Sequence, residues 1–279
     1  MFSCCPALYF LALFFCSYDV LICLSYLSAA TIAMLLSAYM TYMSLTMLCY
    51  CSRRGGGSSY GEVVRSAFGE RMEEVVSCLL CIYLMLSIVA YMVLCRDVWT
   101  PLAQEVFDID MNGDYVLLVV VGLLLPFLCQ RSLHALRKIC YIGFASTSVL
   151  CIALCRGGYE NMRSSNGFNK EINVFKIPAP QELLFSFPII CCAFLCHFNI
   201  ISIQNALKEP SRKRMQNLTQ YAMGASFLLM YMFGSGGYMY AGSNTEGNIL
   251  LNVSMAKPED SGYYLFLLGR IGCGITICK

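Results

Sequence analysis

The sequence predicts an all-α fold, a bundle of helices that cross a membrane, and three observations carry this prediction. Hydrophobic residues make up 58% of the 279 residues and charged residues only 13%, whereas a soluble domain carries about 25% charged residues. The mean hydropathy is +0.63, so most of the outer surface has to face lipid. The apolar runs are long and continuous, which favours helices over the short alternating strands of a membrane barrel.

The chain contains seven apolar runs that approach the roughly 20 residues needed to cross a bilayer, and one shorter run near its start. The short run covers residues 6–18. The longer runs cover residues 20–50, 75–95, 115–129, 139–155, 183–207, 218–241 and 263–278. We expect the whole chain, residues 1–279, to form a single transmembrane domain.

The charges between the runs predict which side of the membrane each loop faces. The loops at 52–74, 130–138 and 208–217 carry eleven basic residues, and the loops on the opposite side carry six. Because loops rich in Lys and Arg stay in the cytoplasm, these three loops are predicted to be cytoplasmic. The sequon Asn252-Val253-Ser254 falls on the opposite side, which makes Asn252 a candidate glycosylation site.

The remaining composition argues against an enzyme, a metal site and a nucleic-acid partner. Nearly all of the 18 cysteines lie within apolar runs, where a free thiol behaves as a small hydrophobic group. Cys78 and Cys81 have the C-x-x-C spacing, but no second pair of ligands lies nearby in the sequence. Only two histidines occur, and the sequence contains neither a catalytic motif nor a basic tail. We therefore expect no catalysis, no metal and no cofactor.

Polar residues inside the run at 183–207 are the candidates for function. His197 and Asn199 are costly in a membrane, so they either hydrogen-bond between helices or line a substrate or proton pathway. Pro188 lies nine residues before His197 and frees a backbone carbonyl, as in the broken helices of transporters. For the glycine-rich stretch at 234–238, close helix packing is favoured over a role in gating.

Several motifs follow one another along the chain in a recognisable order. They are SYGEVVRSAFG at 59–69, AYMVLCRD at 90–97, LPFLCQRSL at 125–133, FLCHFN at 194–199 with LKEPS at 207–211, and GYMYAG at 237–242. In this order and spacing they resemble the amino acid/auxin permease superfamily, in particular its sodium-coupled neutral amino acid transporter branch. The resemblance covers roughly residues 20–279.

This resemblance implies a leucine-transporter-like fold of eleven spans with an inverted repeat of five helices, of which the chain holds about eight. The family's glycine-rich first helix has no counterpart here, so we expect the chain to be incomplete at both ends. Substrate would bind near the membrane midplane, where the first and sixth helices unwind. The candidate substrate contacts are Phe194, Cys196, His197, Asn199 and Tyr91. Thr276 is the candidate ion contact.

The predicted function is secondary active transport of small neutral amino acids, coupled to sodium or protons. The partners are the amino-acid substrate and the lipid bilayer, in the plasma membrane or in a lysosomal or vacuolar membrane. Two alternatives stay open: a non-transporting amino-acid sensor or receptor on a transporter scaffold, and an inactive truncated transporter. A seven-helix receptor and a membrane enzyme are weaker rivals.

Overall fold

The computed structural model describes residues 27–107, 112–128, 133–164, 180–207, 211–241, 249–254 and 262–277. These residues form α-helices, and none of them forms a β-strand. The helices are α1 Leu27–Gly55, α2 Tyr60–Phe68, α3 Glu70–Phe107, α4 Gly113–Leu128, α5 Leu133–Ser164, α6 Pro180–Ala193, α7 His197–Ala206, α8 Arg212–Ala241, α9 Ile249–Ser254 and α10 Tyr263–Ile277. An all-helical fold agrees with the sequence prediction at this level.

Three stretches within the described residues are long and apolar enough to cross a bilayer. They are Ala30–Gly55, Glu70–Glu105 and Ser186–Ala206, and the apolar helix Gly113–Gly122 is shorter. The predicted spans at 139–155, 218–241 and 263–278 coincide with α5, α8 and α10. The short predicted span at 6–18 lies outside the described residues.

The cytoplasmic loop predicted at 52–74 contains a nine-residue helix, α2, which is too short to cross a bilayer. Ser59 is its N-cap, and the Ser59 hydroxyl accepts a hydrogen bond from the Glu62 backbone N–H. The Glu62 carboxylate in turn accepts from the backbone N–H and the hydroxyl of Ser58, both at 2.7 Å. This exchange resembles a capping box moved by one residue, and it explains why a nine-residue helix begins at Tyr60.

Helix α3 is longer than the span that the sequence predicts. It has 38 residues, which corresponds to about 57 Å at 1.5 Å per residue, well beyond the ~30 Å hydrocarbon core. Residues 96–107, expected to form a loop, continue the helix because Leu94, Val98 and Leu102 pack into the core on one face. Farther towards its start, α3 exposes large apolar side chains as a lipid-facing helix does. They include Leu79, Ile82, Met85, Leu86 and Val89.

Two apolar clusters form the core, and α8 contributes to both. One joins the later part of α3 with the start of α1, with α5, α9 and α10, and with the end of α8, around Leu150, Leu154 and Ile249. The other joins α1, α6 and α7 with the earlier part of α8, around Phe194 and Ile201. The second cluster surrounds the segment that separates α6 from α7.

Close packing accounts for Gly236 in α8 and Gly272 in α10. A Cβ at Gly236 would lie 2.9 Å from the Cys155 Sγ atom and 3.1 Å from the Cys155 backbone nitrogen. A Cβ at Gly272 would lie 2.3 Å from the Ser146 hydroxyl oxygen. All three distances are shorter than van der Waals contact, so α5 approaches α8 and α10 at positions where a larger residue would not fit.

Candidate functional site

The sixth apolar run is one span by length but two helices by conformation. Helix α6 ends at Ala193 and α7 begins at His197, so Phe194, Leu195 and Cys196 are not helical. The end of α6 tightens, because the Phe194 and Leu195 N–H groups donate to carbonyls three residues back at 3.2 and 3.0 Å. Residues 194–196, hereafter the break, therefore interrupt the backbone ladder inside a 21-residue apolar span, Ser186–Ala206.

A break of this kind places polar backbone where a continuous helix would have none. The last carbonyls of α6 and the first N–H groups of α7 lack partners within their own helices. The end of α6 carries partial negative charge and the start of α7 partial positive charge, because helix dipoles add along the axis. Pro188 also lacks an N–H group, so the Leu184 carbonyl, about 14 Å along α6 from Ala193, lacks its helical donor. The break can therefore bind a cation on the α6 side and a carboxylate on the α7 side.

His197 is the first residue of α7, and its side chain connects α7 with α1. The Nε2 atom lies 2.9 Å from the Ser44 hydroxyl oxygen. The other ring nitrogen, Nδ1, is buried and has no hydrogen-bond partner among the described residues. Since a buried imidazole nitrogen without a partner is costly, Nδ1 is available to a ligand or a water molecule at the break.

Three hydroxyl residues of α1 lie on the face that the broken span packs against. The Ser37 hydroxyl donates to the Cys191 Sγ atom on α6 at 3.7 Å, and Ser44 contacts His197. Thr41 is buried and lies between Ser37 and Ser44 on the same face, since residues four and three apart line up along a helix. These three residues, hereafter the hydroxyl stripe, were not among the predicted site residues, although their spacing within the run at 20–50 is the signal that could have identified them.

The predicted contacts inside the broken span have different surroundings. The side chains of Phe194 and Cys196 are 0% and 3% exposed and pack in the second apolar cluster. These two residues therefore offer a ligand their backbone rather than their side chains. Asn199 is half-buried on the first turn of α7. His197, which directly follows Cys196, supplies the polar side chain of α7 that is closest in sequence to the break.

The other predicted site residues lie on separate elements. Tyr91 is half-buried on α3, eight residues or about 12 Å beyond Tyr83, whose ring centroid lies 6.1 Å from that of Phe198. Thr276 belongs to the last turn of α10, and its side chain lies outside the described ones. Asn252 is half-buried within α9. The roles of Tyr91 in substrate binding, Thr276 in ion binding and Asn252 in glycosylation stay predictions.

A buried ion pair between α3 and α10 was missed by the sequence analysis. The Arg270 Nη1 atom donates to the Glu105 Oε2 atom at 2.6 Å, and the two side chains are 2% and 19% exposed. Tyr263 makes a further hydrogen bond to Glu105. The sequence assigned Glu105 to an outer loop, whereas it lies on the continued α3. Arg270 is a lone charge within the apolar run at 263–278, which is the signal that could have identified the pair.

Comparison with known proteins yields a family match over most of the chain. The family model described as "Transmembrane amino acid transporter protein" matches residues 27–271. This range includes the broken span, the α1 hydroxyl stripe and the ion pair between α3 and α10.

Similar proteins include transporters from animals and yeast at low identity. A protein named "Putative sodium-coupled neutral amino acid transporter 11" is 23% identical over 249 residues in Mus musculus, covering 87% of this chain and 52% of the relative. Its Danio rerio counterpart is 23% identical over 254 residues, covering 88% of this chain and 54% of the relative. "Vacuolar amino acid transporter 5" of Saccharomyces cerevisiae is 26% identical over 180 residues, covering 58% of this chain and 38% of the relative. The chain thus spans about half the length of the animal relatives it matches.

Proposed function

Because the chain belongs to the transmembrane amino acid transporter family, we propose that it is part of a transporter that carries neutral amino acids across a membrane and binds them at the break in the sixth span. The observation that carries the proposal is the three-residue interruption between Ala193 and His197, which places two half-helix ends inside an apolar span. An interruption inside a membrane leaves backbone polar groups unpaired, which is costly unless a ligand or a neighbouring group hydrogen-bonds to them.

The two half-helix ends match the backbone of an amino acid. A zwitterionic amino acid carries a carboxylate and an ammonium group close together. The N-terminal end of α7 would accept the carboxylate, because its first N–H groups and the helix dipole attract negative charge. The C-terminal carbonyls of α6 would accept the ammonium group. The Nδ1 atom of His197, buried and without a partner among the described residues, adds one side-chain contact.

The residues around the break support a substrate with a neutral side chain. The break contains Phe194, Leu195 and Cys196, and the nearest polar groups are His197 and the hydroxyl stripe of α1. Among these residues no carboxylate or Lys or Arg side chain is present to neutralise a charged substrate side chain. The name of the animal relatives, sodium-coupled neutral amino acid transporter, agrees with this class.

Sodium is the proposed coupling ion, and a proton is the alternative that the experiment distinguishes. Carbonyls at the end of α6, together with nearby hydroxyls such as Ser37, supply the oxygen ligands that a hard cation prefers. A proton would instead be carried by a titrating group, for which His197 is the candidate at the break. The proposed location is the plasma membrane or a vacuolar membrane, and imaging of a tagged protein decides between them.

The experiment is uptake of labelled alanine and serine into vesicles that contain the protein, with either a sodium or a proton gradient imposed. We expect saturable uptake that follows the sodium gradient. Ser44→Ala removes the partner of His197 Nε2 and should weaken apparent affinity about two- to tenfold, since a hydrogen bond contributes about 0.5–1.5 kcal/mol. Ser148→Ala is the matched control, because the Ser148 hydroxyl donates only within its own helix, to the Phe144 carbonyl at 2.8 Å.

Two results would contradict the proposal. If neither gradient drives uptake of any neutral amino acid, the transport proposal fails. If Ser44→Ala and Ser148→Ala change uptake equally, the break is not where the substrate binds. Uptake that follows the proton gradient alone would keep transport and replace sodium by the proton as the coupling ion.

A further inference from the structure

A groove lies where the last turns of α1 meet the first turns of α8. Its lining residues are Thr46, Cys49, Tyr50, Arg53, Arg212, Met215, Gln216 and Thr219. The apolar stretch Ala30–Gly55 ends here, so the groove lies at the boundary between the hydrocarbon core and water. The flanking loops at 52–74 and 208–217 are two of the three basic loops, which places this boundary on the predicted cytoplasmic side.

The rim of the groove is strongly basic. Arg53 at the end of α1 and Arg212 at the start of α8 line it, and the exposed Arg54, Lys213 and Arg214 are their neighbours in the sequence. None of the described residues that line the groove is acidic. Arg212 is also the first residue of α8, so the positive end of that helix dipole adds to the local potential.

One aromatic ring holds two of these guanidinium groups. The Arg54 Cζ atom lies 4.8 Å from the centroid of the Tyr50 ring, and the Arg212 Cζ atom lies 5.2 Å from it. Stacking on an aromatic face fixes the plane of a guanidinium and leaves its N–H fork free to face an anion. The two forks are therefore positioned before any ligand arrives, which lowers the entropy lost on binding.

The floor of the groove is different in character from its rim. Cys49, Met215 and Thr219 are buried there, and Thr46 is half-buried. The Thr46 and Thr219 hydroxyls donate to carbonyls of their own helices, at 2.9 Å each, so both present mainly methyl groups to the groove. A basic rim at the water side above an apolar floor fits a molecule that has an anionic head and a hydrocarbon tail.

We propose that this groove is a binding site for an anionic phospholipid, whose phosphate lies between Arg212 and the end of α1 and whose acyl chain runs along the apolar floor. Basic pockets between membrane helices on the cytoplasmic side bind acidic headgroups in this manner. A free phosphate ion would contact the basic rim alone and would gain no binding energy from the apolar floor. Dependence of binding on the acyl chain therefore distinguishes a phospholipid from free phosphate. The site is independent of the break, which lies between α6 and α7, and it holds whether or not the chain transports amino acids.

The test measures binding of short-chain lipids to the purified protein by thermal unfolding in a neutral detergent. The probes are dioctanoyl phosphatidylserine, dioctanoyl phosphatidylcholine and inorganic phosphate. We expect phosphatidylserine to raise the midpoint of unfolding saturably, phosphatidylcholine to have little effect, and inorganic phosphate to compete only at far higher concentration.

Two variants of equal charge decide whether the groove is the site. Arg212→Gln removes a groove residue and should weaken phosphatidylserine binding about fivefold or more, whereas Lys213→Gln removes the neighbouring exposed charge and should change it less than twofold. Tyr50→Leu keeps every charge, removes the stacking platform and should also weaken binding. If Arg212→Gln fails to fold, Arg212→Lys takes its place, because it keeps the charge and loses the planar fork.

Several outcomes would overturn the proposal. Equal effects of Arg212→Gln and Lys213→Gln would show that the lipid binds through diffuse surface charge and not in the groove. Equal binding of phosphatidylcholine would show that the anionic charge does not matter. Inorganic phosphate that matches phosphatidylserine in affinity would show an anion site without a lipid tail.

Discussion

Removing either partner of the Arg270–Glu105 ion pair should destabilise the protein, and by unequal amounts. Arg270 is 2% exposed and Glu105 is 19% exposed, so the arginine is the more deeply buried charge. Glu105→Gln leaves the guanidinium charged and without its counter-ion, for which the expected cost is about 3–5 kcal/mol. Arg270→Met leaves a carboxylate that is partly hydrated and still bonded to Tyr263, so the expected cost is lower, about 1–3 kcal/mol.

The double variant tests the coupling between the two charges directly. With both charges removed, no uncompensated ion is left at this position, so the double variant should lose less stability than the two single variants combined. Thermal unfolding can be followed by a thiol-reactive fluorophore, because Cys273 on α10 and Cys151 on α5 are buried and become reactive when the helices separate. At roughly 2 °C or more per kcal/mol, Glu105→Gln should lower the midpoint by about 6 °C or more.

The exposed pair Arg156–Glu160 is the matched control, since it has the same chemistry without the burial. Its side chains are 53% and 42% exposed, and pairs of this kind contribute about 0.3–0.5 kcal/mol. Arg156→Met should therefore leave the midpoint almost unchanged. A midpoint shift for Glu105→Gln as small as that for Arg156→Met would contradict a buried ion pair, and single effects that simply add would contradict coupling between its two charges.

Two further predictions concern α8 and the α1–α2 turn. Gly236→Leu should destabilise the protein by about 1–3 kcal/mol, because its Cβ would lie 2.9 Å from the Cys155 Sγ atom. Gly224→Ala, whose Cβ would have no atom within 4 Å, should be neutral or stabilise the protein by up to about 1 kcal/mol. Thermal unfolding midpoints compare the two variants, and equal shifts would contradict the close packing at Gly236. The hydrogen bonds from Ser58 lower the pKa of Glu62 in the folded protein. The stability that ionised Glu62 contributes is therefore fully present above the unfolded-state pKa of about 4.3, and it is lost as the pH falls through the lower pKa of the folded state. Glu62→Gln should accordingly flatten the acid limb of stability below about pH 4.3, and an unchanged limb in thermal scans would contradict this.

The sequence predicts the broad architecture because the membrane imposes a simple rule on it. A run of about 20 apolar residues has to be helical in lipid, and the helices α1, α3 and α8 appear where such runs lie. The C-terminal end of α3 could not be predicted in this way, because residues 96–107 contain as many polar groups as a typical loop. Their helical conformation depends on Val98 and Leu102 packing against distant elements, which a one-dimensional pattern does not contain.

The candidate site was predictable only in part, for a similar reason. His197 and Pro188 are visible in the sequence as a polar residue and a helix breaker within one apolar run. The contact of His197 with Ser44 joins residues 153 positions apart, and the contact of Arg270 with Glu105 joins residues 165 positions apart. Such pairs arise from tertiary packing, so the sequence can show the lone charge of Arg270 but not its partner.

Equilibrium binding of labelled neutral amino acids to the purified protein and to its His197→Leu variant tests whether the break beside His197 binds the substrate. The buried Nδ1 atom of His197 is one of the proposed contacts. We expect saturable binding to the unaltered protein and binding about tenfold weaker or more in the variant, with the Ser148→Ala control unaffected. Saturable binding of equal affinity in the His197→Leu variant would contradict the account.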